Sequence, residues 1–514
     1  MDGREIELKL GMSPDDIALL SLSPPWSSEG EAPPPPRRLA SIYFDTPDFT
    51  LAASGVSVRV RWTGDGLVQT VKVSGNGGAG LFDRPEWEQQ LERPVPDPGH
   101  LRATGLAVFA DDRLIGQLEP VFSTQVNRTI FRLGGIEHGW EVEAALDQGE
   151  VVAGSLSEPI CEVELELVRG SPDRLFRLAR QVLDTVPARP LSISKSERGV
   201  KLATGDTNRP VKARVPLIRP DLTAAAAFQT IARSCLDHLL VNERCLLATG
   251  DAEAIHQMRV ALRRLRSAVR VFRTLVASPR LAEVKNDLRW LLERLGPARD
   301  AEVFLSDIID PVVQDYPDDP GLTALRDYWR SDRDARLDAA VSAVRDRRFA
   351  ALVLDLTAWV EAGDWLGAPG EPLRRKLEAP IGPFALRRLG KTTRRMLRQG
   401  GDSLSRLTPE ERHAVRILCK QTRYTAEFFA ALVPRKQMKV FLGELAEVQD
   451  ALGHLNDIAV AAPKLAAGSN GSGRHARAAG LVSGWHTARQ AGMLAEAERA
   501  WKRVRARDLP WSEE

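Results

Sequence analysis

Residues Arg4 to Leu10, which read REIELKL, decide the fold of the first part of the chain. Three charged residues alternate there with three aliphatic ones: Glu5, Glu7 and Lys9 with Ile6, Leu8 and Leu10. Side chains of a β-strand point to opposite faces in turn, so the charges share one face and the aliphatic residues the other. Such a strand belongs either to a sheet with a solvated face or to a closed barrel with a charged interior.

The same alternation recurs along the first 200 residues. We predict further strands over Arg38–Phe44, Val56–Trp62, Leu67–Val73, Arg84–Leu91, Val121–Leu133, Trp140–Leu146 and Ile160–Leu167. Basic pairs and acidic pairs occupy separate strands, whereas a solvated face would mix them in no sign order. Rows of like charge need counter-charges, which metal ions supply to carboxylates and phosphates supply to bases. A closed antiparallel barrel, which turns one face of every strand inward, therefore fits better than an open sheet.

The length and the charge distribution indicate more than one domain. A chain of 514 residues is too long for a single core, so two or three domains are expected. The net charge of +2 conceals a net −9 over residues 1–205 and a net +11 over residues 206–514. An acidic half joined to a basic half suggests two different roles directed at polyanions.

The cysteines and the hydropathy pattern bear on the compartment. Four scattered cysteines without a CxxC spacing are typical of a reducing environment and do not form a metal-binding motif. No signal-like segment precedes the first strand, and no run of 18 apolar residues occurs. We expect a cytoplasmic protein with no membrane partner, with polyphosphate granules as a place of association.

The second half contains an internal repeat. Gly205–Pro220 has three prolines and reads as a linker, and the pattern is helical from Leu222 onward. Sliding this half against itself by 157 residues aligns IHQMRVALRRLRS with RHAVRILCKQTRY and LGPARD with LGHLND. A register held across about forty residues without a gap indicates a tandem duplication of a helical bundle.

Each repeat carries a basic stripe. Residues at i, i+3, i+7 and i+10 fall within roughly an 80° arc of a helix. The two stripes consist of His256, Arg259, Arg263 and Arg266, and of His413, Arg416, Lys420 and Arg423. A solvated face has no reason to keep register between two copies, so we interpret the stripes as a binding surface. Neither His has neighbours at metal-ligand spacing.

The first part resembles the CYTH family, the triphosphate tunnel metalloenzymes, and most closely its bacterial inorganic triphosphatases. The resemblance covers about residues 1–205 and rests on EIELKL, VRVR, TVKV, RPEWE, ALDQGEV, EPICEVELEL and SISKSERG. It implies an eight-stranded antiparallel tunnel that binds a triphosphate and one or two divalent cations, with Mg²⁺ preferred and Mn²⁺ as the alternative. Direct attack by water on a metal-bound triphosphate is the expected mechanism.

The resemblance also implies roles for residues in this sequence. The metal ligands would be Glu5, Glu7, Glu162 and Glu164, with Glu166 a further candidate. The phosphate-binding and catalytic set would be Lys9, Arg59, Arg61, Lys72, Arg128, Glu143, Asp147 and Lys195. Arginine and lysine suit this role because they neutralise a polyanion, arginine by paired hydrogen bonds.

The second part resembles the CHAD family, named for its histidine-bearing α-helical repeats. The match rests on HxxRVxxRRLRS, LGxxRD and their second copies, except that Asn456 stands where Arg299 stands in the first copy. The family implies binding of inorganic polyphosphate in a basic cavity between the two repeats, and we assign this binding to the eight stripe residues. The whole chain is then of α+β class: a tunnel domain over 1–205, a linker over 206–220 and an all-α domain over 221–510, with repeats at about 221–362 and 380–510.

The expected activity is metal-dependent hydrolysis of inorganic triphosphate to diphosphate and phosphate. One alternative is a nucleoside or thiamine triphosphate as substrate, which would need an aromatic seat such as Trp62, Phe82 or Trp87. A second is a non-catalytic tunnel that only binds polyphosphate. We do not expect nucleic acid as a partner, because aromatic residues do not interleave the basic stripes.

Overall fold

The computed structural model describes residues 2–26, 32–64, 66–75, 77–206, 208–367, 370–468, 473–509 and 511. It divides into two compact units, residues 1–209 with 346–363 and residues 210–345 with 364–514. Among the described residues, no helix has both the length and the hydropathy needed to cross a membrane.

The first unit is built mainly of strands. Its elements up to residue 209 are β1 Asp2–Gly11, α1 Pro14–Ser21, β2 Arg37–Asp45, α2 Thr50–Ala53, β3 Val56–Thr63, β4 Gly66–Val73, β5 Leu81–Leu91, α3 Pro98–Ala103, α4 Asp112–Gly116, β6 Glu119–Gly135, β7 Trp140–Ala153, β8 Leu156–Arg169, α5 Asp173–Thr185, β9 Arg189–Pro190 and α6 Lys195–Thr204.

The rest of the chain is helical. Its helices are α7 Ala224–Thr249, α8 Ala252–Val271, α9 Leu281–Val303, α10 Asp310–Asp315, α11 Pro320–Arg345, α12 Arg347–Ala362, α13 Glu371–Glu378, α14 Ile381–Gly400, α15 Pro409–Phe428, α16 Arg435–Gly468 and α17 Gly473–Arg505. All but α12, which belongs to the first unit, lie in the second unit.

The strands close into the predicted antiparallel barrel. Their order is β5-β4-β3-β2-β6-β7-β8-β1, and β1 pairs with β5 to complete the ring of eight, with the short β9 beside β1. Full closure leaves no free edge in the ring. The prediction of an eight-stranded tunnel followed by a helical region is therefore confirmed.

The two faces of β1 are both buried, as the sequence pattern requires. Leu8 and Leu10 are fully buried in a core shared with α1, α5 and the outer faces of β7 and β8. Glu7 and Lys9 are only 2% and 3% exposed, yet they point to the opposite face. The charged face of β1 therefore lies inside the barrel and away from bulk water.

Helix α12 packs on the barrel although it follows the first helical repeat in the chain. Ala350 and Leu354 belong to the same core as β1 and α5. Arg347 donates to the carbonyl oxygen of Leu183 at 2.7 Å. This helix thus covers α5, so the predicted first repeat, at about 221–362, includes a helix of the first unit. The predicted domain bounds remain predictions.

In the second unit the repeats begin with matching helix pairs. Helix α7 packs against α8, and α14 packs against α15. Thr408 caps α15 and forms a capping box with Glu411, which fixes where the second stripe begins. The ring of Phe272, at the end of α8, lies 5.0 Å from that of Phe384 in α14 and 6.1 Å from that of Phe429. These contacts hold the ends of α8, α14 and α15 together.

Candidate functional site

The barrel encloses a polar cavity of about 190 Å³. Its lining is Glu5, Glu7, Lys9, Tyr43, Ser57, Arg59, Arg61, Thr70, Lys72, Arg84, Glu86, Glu88, Arg128, Glu164, Glu166, Ser194, Lys195 and Ser196. Nine of the twelve residues predicted for the tunnel are in this set. Carboxylates and cationic side chains alternate around the cavity. This arrangement suits an anionic ligand that binds together with a cation.

Backbone register brings the inward-facing charges together. Lys9 in β1 stands opposite Glu164 in β8. In β7, Asp147 stands opposite Glu162 on one side and Arg128 on the other. Residues opposite one another in an antiparallel pair have Cβ atoms only about 4.5–5.5 Å apart. The order of charges along each strand therefore dictates which ion pairs form.

The carboxylates of β1 form the first acidic group, and cations surround them. Lys72 Nζ donates to Glu5 Oε1 at 2.6 Å, and Arg84 Nε donates to Glu5 Oε2 at 3.0 Å. Arg84 Nη2 and Lys9 Nζ lie 2.5 and 3.0 Å from Glu7 Oε1. Burial favours the neutral acid, but the charges of Lys72 and Arg84 outweigh it and lower the pKa of Glu5 to about 2. Glu5 is therefore ionised at neutral pH.

A second acidic group surrounds Lys195. Its Nζ lies 2.7 Å from Asp147 Oδ2, 2.5 Å from Glu162 Oε1 and 2.8 Å from Glu164 Oε1. Arg128 adds a bidentate pair with Asp147, at 2.7 and 2.6 Å. Burial would favour the neutral amine of Lys195, but the three carboxylates outweigh it and raise its pKa. Lys195 is therefore a buried ammonium held by three carboxylates.

The start of α6 fixes Lys195 in this position. Ser194 caps the helix: Glu197 N–H donates to Ser194 Oγ at 3.2 Å, and Ser194 N–H donates to Glu197 at 2.8 Å. Gly199 lies against the ring of Phe122, where an added Cβ would stand 2.1 Å from a ring carbon. The helix is therefore seated on β6, with its first residue aimed into the barrel.

Arg61 is the cation best suited to receive an anion. Its Nε donates to Ser41 Oγ at 3.0 Å, and within the described parts of the chain it forms no ion pair. Burial lowers the pKa of Arg61 to about 9, and repulsion by Arg59 and Arg128 adds to the effect. Bound phosphate would relieve that repulsion.

Three predicted tunnel residues do not line the cavity. Asp147 and Glu162 are buried and bound by Lys195, so they stand behind its ammonium group. Glu143 has a side chain that is 29% exposed and lies 3.9 Å from Arg132, whose own side chain is 75% exposed. This pair is more open to solvent than the rest of the predicted tunnel set.

Four lining residues were not among the predicted site residues: Arg84, Glu86, Glu88 and Tyr43. The first three share one parity in β5, so the period-two pattern contained the signal. Arg84 stands opposite Glu5 because β1 pairs with β5. That pairing closes the barrel, and the local pattern does not reveal it.

The residues present fit a divalent cation. Carboxylate oxygens of Asp147, Glu162 and Glu164 all lie within 4.8 Å of one another, and hard cations prefer oxygen ligands. Lys195 now neutralises this group, as Lys72 and Arg84 do for Glu5. A metal ion bound there would neutralise the three carboxylates in place of Lys195. Among the described residues, Glu5 and Glu7 do not join that cluster.

In the helical unit, the repeated glycine makes room for a repeated arginine. An added Cβ at Gly296 would stand 2.9 Å from Arg259 Nη1, and one at Gly453 would stand 3.4 Å from Arg416. Arg259 also lies 3.5 Å from Asp300. The LGxxRD spacing is therefore explained by an arginine of α8 or α15 that passes over the glycine of the next helix.

The histidines occupy equivalent surroundings in the two repeats. His413 Nδ1 lies 2.5 Å from Asn456 Oδ1, and Asn456 stands where Arg299 stands in the first repeat. In the first repeat, burial and then the charge of Arg299 lower the pKa of His256 to about 4. His256 is therefore neutral at physiological pH.

The two stripes approach each other near Arg263. Burial lowers the pKa of Lys420 to about 7, and the charges of Arg416 and Arg263 add to this effect. Arg423 has an acidic partner in its own helix, and Arg266 is exposed further along α8. Several cations thus face one another with little compensation, which favours an anionic ligand.

Two domain families match the chain. The CYTH domain matches residues 3–200, and the CHAD domain matches residues 230–466. The boundary between these matches falls where the structure passes from strands to helices.

Individual relatives are also similar to this chain. An inorganic triphosphatase of Haemophilus influenzae is 36% identical over 171 residues, which is 32% of this chain and 46% of the relative. The chain thus spans about half the length of that relative. An uncharacterized protein of Mycobacterium tuberculosis is 27% identical over 83% of each chain.

A solved structure matches the helical unit. The crystal structure of the CHAD domain from the plant Ricinus communis is 27% identical and covers 59% of this chain and 98% of its own, with a TM-score of 0.50. The chain therefore contains a CYTH domain, matched over residues 3–200, and a CHAD domain, matched over residues 230–466.

Proposed function

We propose that the CYTH domain hydrolyses inorganic triphosphate to diphosphate and phosphate with the help of a divalent cation. The proposal rests on one cavity that is lined both by carboxylates and by cations. Among the described residues, one of these cations, Arg61, has no ion-pair partner. Similarity to an inorganic triphosphatase supports the substrate class. The alternative of a tunnel that only binds polyphosphate is disfavoured, because the carboxylates of β1, the carboxylates around Lys195 and the basic residues of β3 and β4 are all present.

The chain's own residues divide the work by charge. Arg59, Arg61 and Lys72 bind phosphate oxygens and neutralise the charge that develops as the terminal phosphoryl group is transferred. Glu162 and Glu164, which cluster with Asp147, would provide one set of oxygen ligands for a divalent cation, and Glu5 and Glu7 would provide a separate set. A bound Mg²⁺ or Mn²⁺ supplies Lewis-acid polarisation of the phosphate and lowers the pKa of a ligated water.

The reaction needs no covalent enzyme intermediate. Water forms a new bond to the terminal phosphorus, the bond from that phosphorus to the bridging oxygen breaks, and diphosphate leaves with the electron pair. The tunnel walls hold the chain in line and exclude other water. Such positioning with charge stabilisation accounts for most phosphoryl-transfer catalysis.

The cavity favours an inorganic substrate over an organic one. Among the described residues, its single aromatic lining residue is Tyr43. Trp87 packs in the apolar cluster outside β3 and β4, and Trp62 is 39% exposed. Phe82 shares the parity of Arg84 in β5, and its ring centroid lies 5.1 Å from Arg84 Cζ and 5.4 Å from Lys9 Nζ, so it packs against two lining cations. The described lining residues therefore include no broad apolar seat for a base or a thiazole ring.

A phosphate-release panel tests this proposal. Triphosphate, ATP, thiamine triphosphate and long-chain polyphosphate are each assayed with Mg²⁺, Mn²⁺ and EDTA. We expect the highest kcat/KM for triphosphate and no turnover in EDTA. A higher kcat/KM for ATP would replace the proposed substrate, and full turnover in EDTA would refute the metal requirement.

We also propose that the CHAD domain binds inorganic polyphosphate through the eight stripe residues. The crowding of Arg263, Arg416 and Lys420 supports this, because a polyanion would relieve their mutual repulsion. Titration of the full chain with fluorescent polyphosphate tests it, and replacing Arg263 and Arg416 by Gln should weaken binding. A cytoplasmic location and association with granules remain predictions.

A further inference from the structure

Helix α14, the first helix of the second repeat, has a polar face of a single sign. Its 20 residues contain six cations and no aspartate or glutamate. At 100° per residue, the six fall within an arc of about 120°. They are Arg387, Arg388, Lys391, Arg394, Arg395 and Arg398. The opposite arc carries the buried residues Ala385, Leu389 and Met396.

These cations are accessible and lack counter-charges. Five of the six are exposed, and Arg388 is half-buried. None of them takes part in an ion pair with any residue that the structure describes. Other exposed helices of the chain do compensate their cations: Arg336 pairs with Asp332 in α11, and Arg375 pairs with Glu371 in α13. No such ion pair is found for the six cations of α14 among the described residues.

Like charges three or four residues apart on a helix repel each other. The face contains six such pairs, since Lys391 alone has four cationic neighbours at these spacings. A helix that only needed a solvated surface would gain by mixing the signs. The persistence of one sign along three turns points to an anionic ligand.

The face is continuous with the basic stripe of α8. Arg388 donates to Thr274 Oγ1, just beyond α8, at 3.1 Å. Burial and the charges of Arg266 and Arg395 lower the pKa of Arg270, so the end of α8 lies beside α14. The stripe from His256 to Arg270 spans about 21 Å at 1.5 Å per residue. An extended anion lying along it therefore continues onto α14.

We propose that the cationic face of α14 is a second polyphosphate-binding segment, which engages the part of a long chain that extends beyond the two stripes. This inference rests on the proposed polyphosphate binding and extends it to a dependence on chain length. A flexible linear polyanion fits because the face offers charges at helical intervals and nothing else. The one aromatic residue of α14, Phe384, packs against Phe272, so no ring is free to stack on a base.

The test uses the full-length protein and two triple variants. The first combines Lys391→Gln, Arg394→Gln and Arg398→Gln, which removes three of the six charges, on the side of the face away from Arg388 and Arg395, and retains helix propensity. The control removes three ion-paired cations elsewhere, by Arg330→Gln, Arg336→Gln and Arg374→Gln. Both variants carry the same net charge, so a difference between them is positional.

Binding is measured over a range of salt concentrations with two polyphosphates. One is short enough to be bound by the stripes alone, and the other is several times longer. For the α14 variant we expect long-chain affinity to fall at least about tenfold and the log–log salt slope to decrease by about 2, at roughly 0.7 per lost contact. Short-chain affinity should change less than about twofold, since neutralising one side of the helix removes only distant charge. The control should match the wild type.

Other outcomes would overturn the inference. Equal long-chain affinities for the α14 variant and the control would remove α14 from the binding surface. Equal losses for short and long chains would make α14 part of one site and refute the dependence on length. Duplex DNA is titrated in parallel, and a loss of affinity for DNA without a loss for polyphosphate would assign the face to nucleic acid. If the wild type bound no polyphosphate of any length, the proposed function itself would fail, which is a separate result.

Discussion

Replacing Lys195 by Met should destabilise the barrel while creating a site with higher affinity for divalent cations. Methionine keeps most of the side-chain length but removes the ammonium that lies 2.5–2.8 Å from Asp147, Glu162 and Glu164. Breaking a buried ion pair by removing one partner costs about 3–5 kcal/mol, because the other charge is left uncompensated. Here three carboxylates lose the same partner.

The effect should be large at neutral pH. The folded-state pKa of Lys195 is raised above its unfolded value, so its stabilising contribution is fully present below the unfolded value and is lost only as pH rises through the folded one. For a unit of this size, about 3–5 kcal/mol corresponds to a fall in Tm of roughly 6–20 °C. Mg²⁺ at 100 times its Kd should restore about 2.7 kcal/mol.

Calorimetry of the full chain in EDTA and in Mg²⁺ gives the measurement. The transition that moves with Lys195→Met identifies the first unit. Lys201→Met on the same helix is the matched control, because its pair with Asp206 is exposed and worth at most about 1 kcal/mol. Mg²⁺ should raise the Tm of the Lys195 variant more than that of the wild type or the control.

The reasoning would be refuted by either of two results. If the Lys195 variant unfolded within about 2 °C of the wild type in EDTA, the ammonium would not be compensating these carboxylates. If Mg²⁺ shifted the variant and the wild type equally, the three carboxylates would not form the cation site, and the metal would have to bind at Glu5 and Glu7 instead.

Four further predictions concern other parts of the molecule. Combining Glu5→Gln with Glu7→Gln should lower triphosphate turnover about 100-fold or more with the far-UV spectrum unchanged; near-normal turnover would exclude β1 from catalysis. Arg61→Ala should lower kcat/KM for triphosphate by about 10–100-fold without loss of stability, since no ion pair is broken; an unchanged value would mean that phosphate does not contact it. Because the pKa of Lys420 is about 7 and bound polyanion favours its charged form, polyphosphate affinity should fall by up to about tenfold per pH unit from pH 7 to 9, and Lys420→Met should flatten this profile. Leu354→Ala should lower the unfolding free energy of the first unit by about 2–5 kcal/mol, seen in the calorimetric transition that Lys195→Met shifts; movement of the other transition would contradict the packing of α12.

Local periodicity in the sequence was sufficient for the architecture. The alternation in REIELKL and the later strands requires two buried faces, one apolar and one ionic, and a closed barrel satisfies both at once. The 157-residue repeat likewise fixed the equivalence of the stripes, because it compares the chain only with itself. The same register predicts that Gly296 and Gly453 are equivalent, and in the structure each lies next to an arginine of its repeat.

Contacts between residues that meet only when the barrel closes could be identified only from the tertiary structure. Arg84 meets Glu5 across the β1–β5 seam, 79 residues away, and nothing in either strand encodes that register. Lys195 reaches three carboxylates on two strands only because α6 is seated on β6.

Helix α12 shows the same limit at the level of domains. Its apolar pattern predicts a buried helix, but a hydrophobic face does not state which surface it will cover. Its position in the chain places it in the first helical repeat, whereas Ala350 and Leu354 pack in the same core as β1 and α5. Periodicity determines which side of an element is buried; the identity of the partner is decided by long-range packing, which the sequence of one element does not contain.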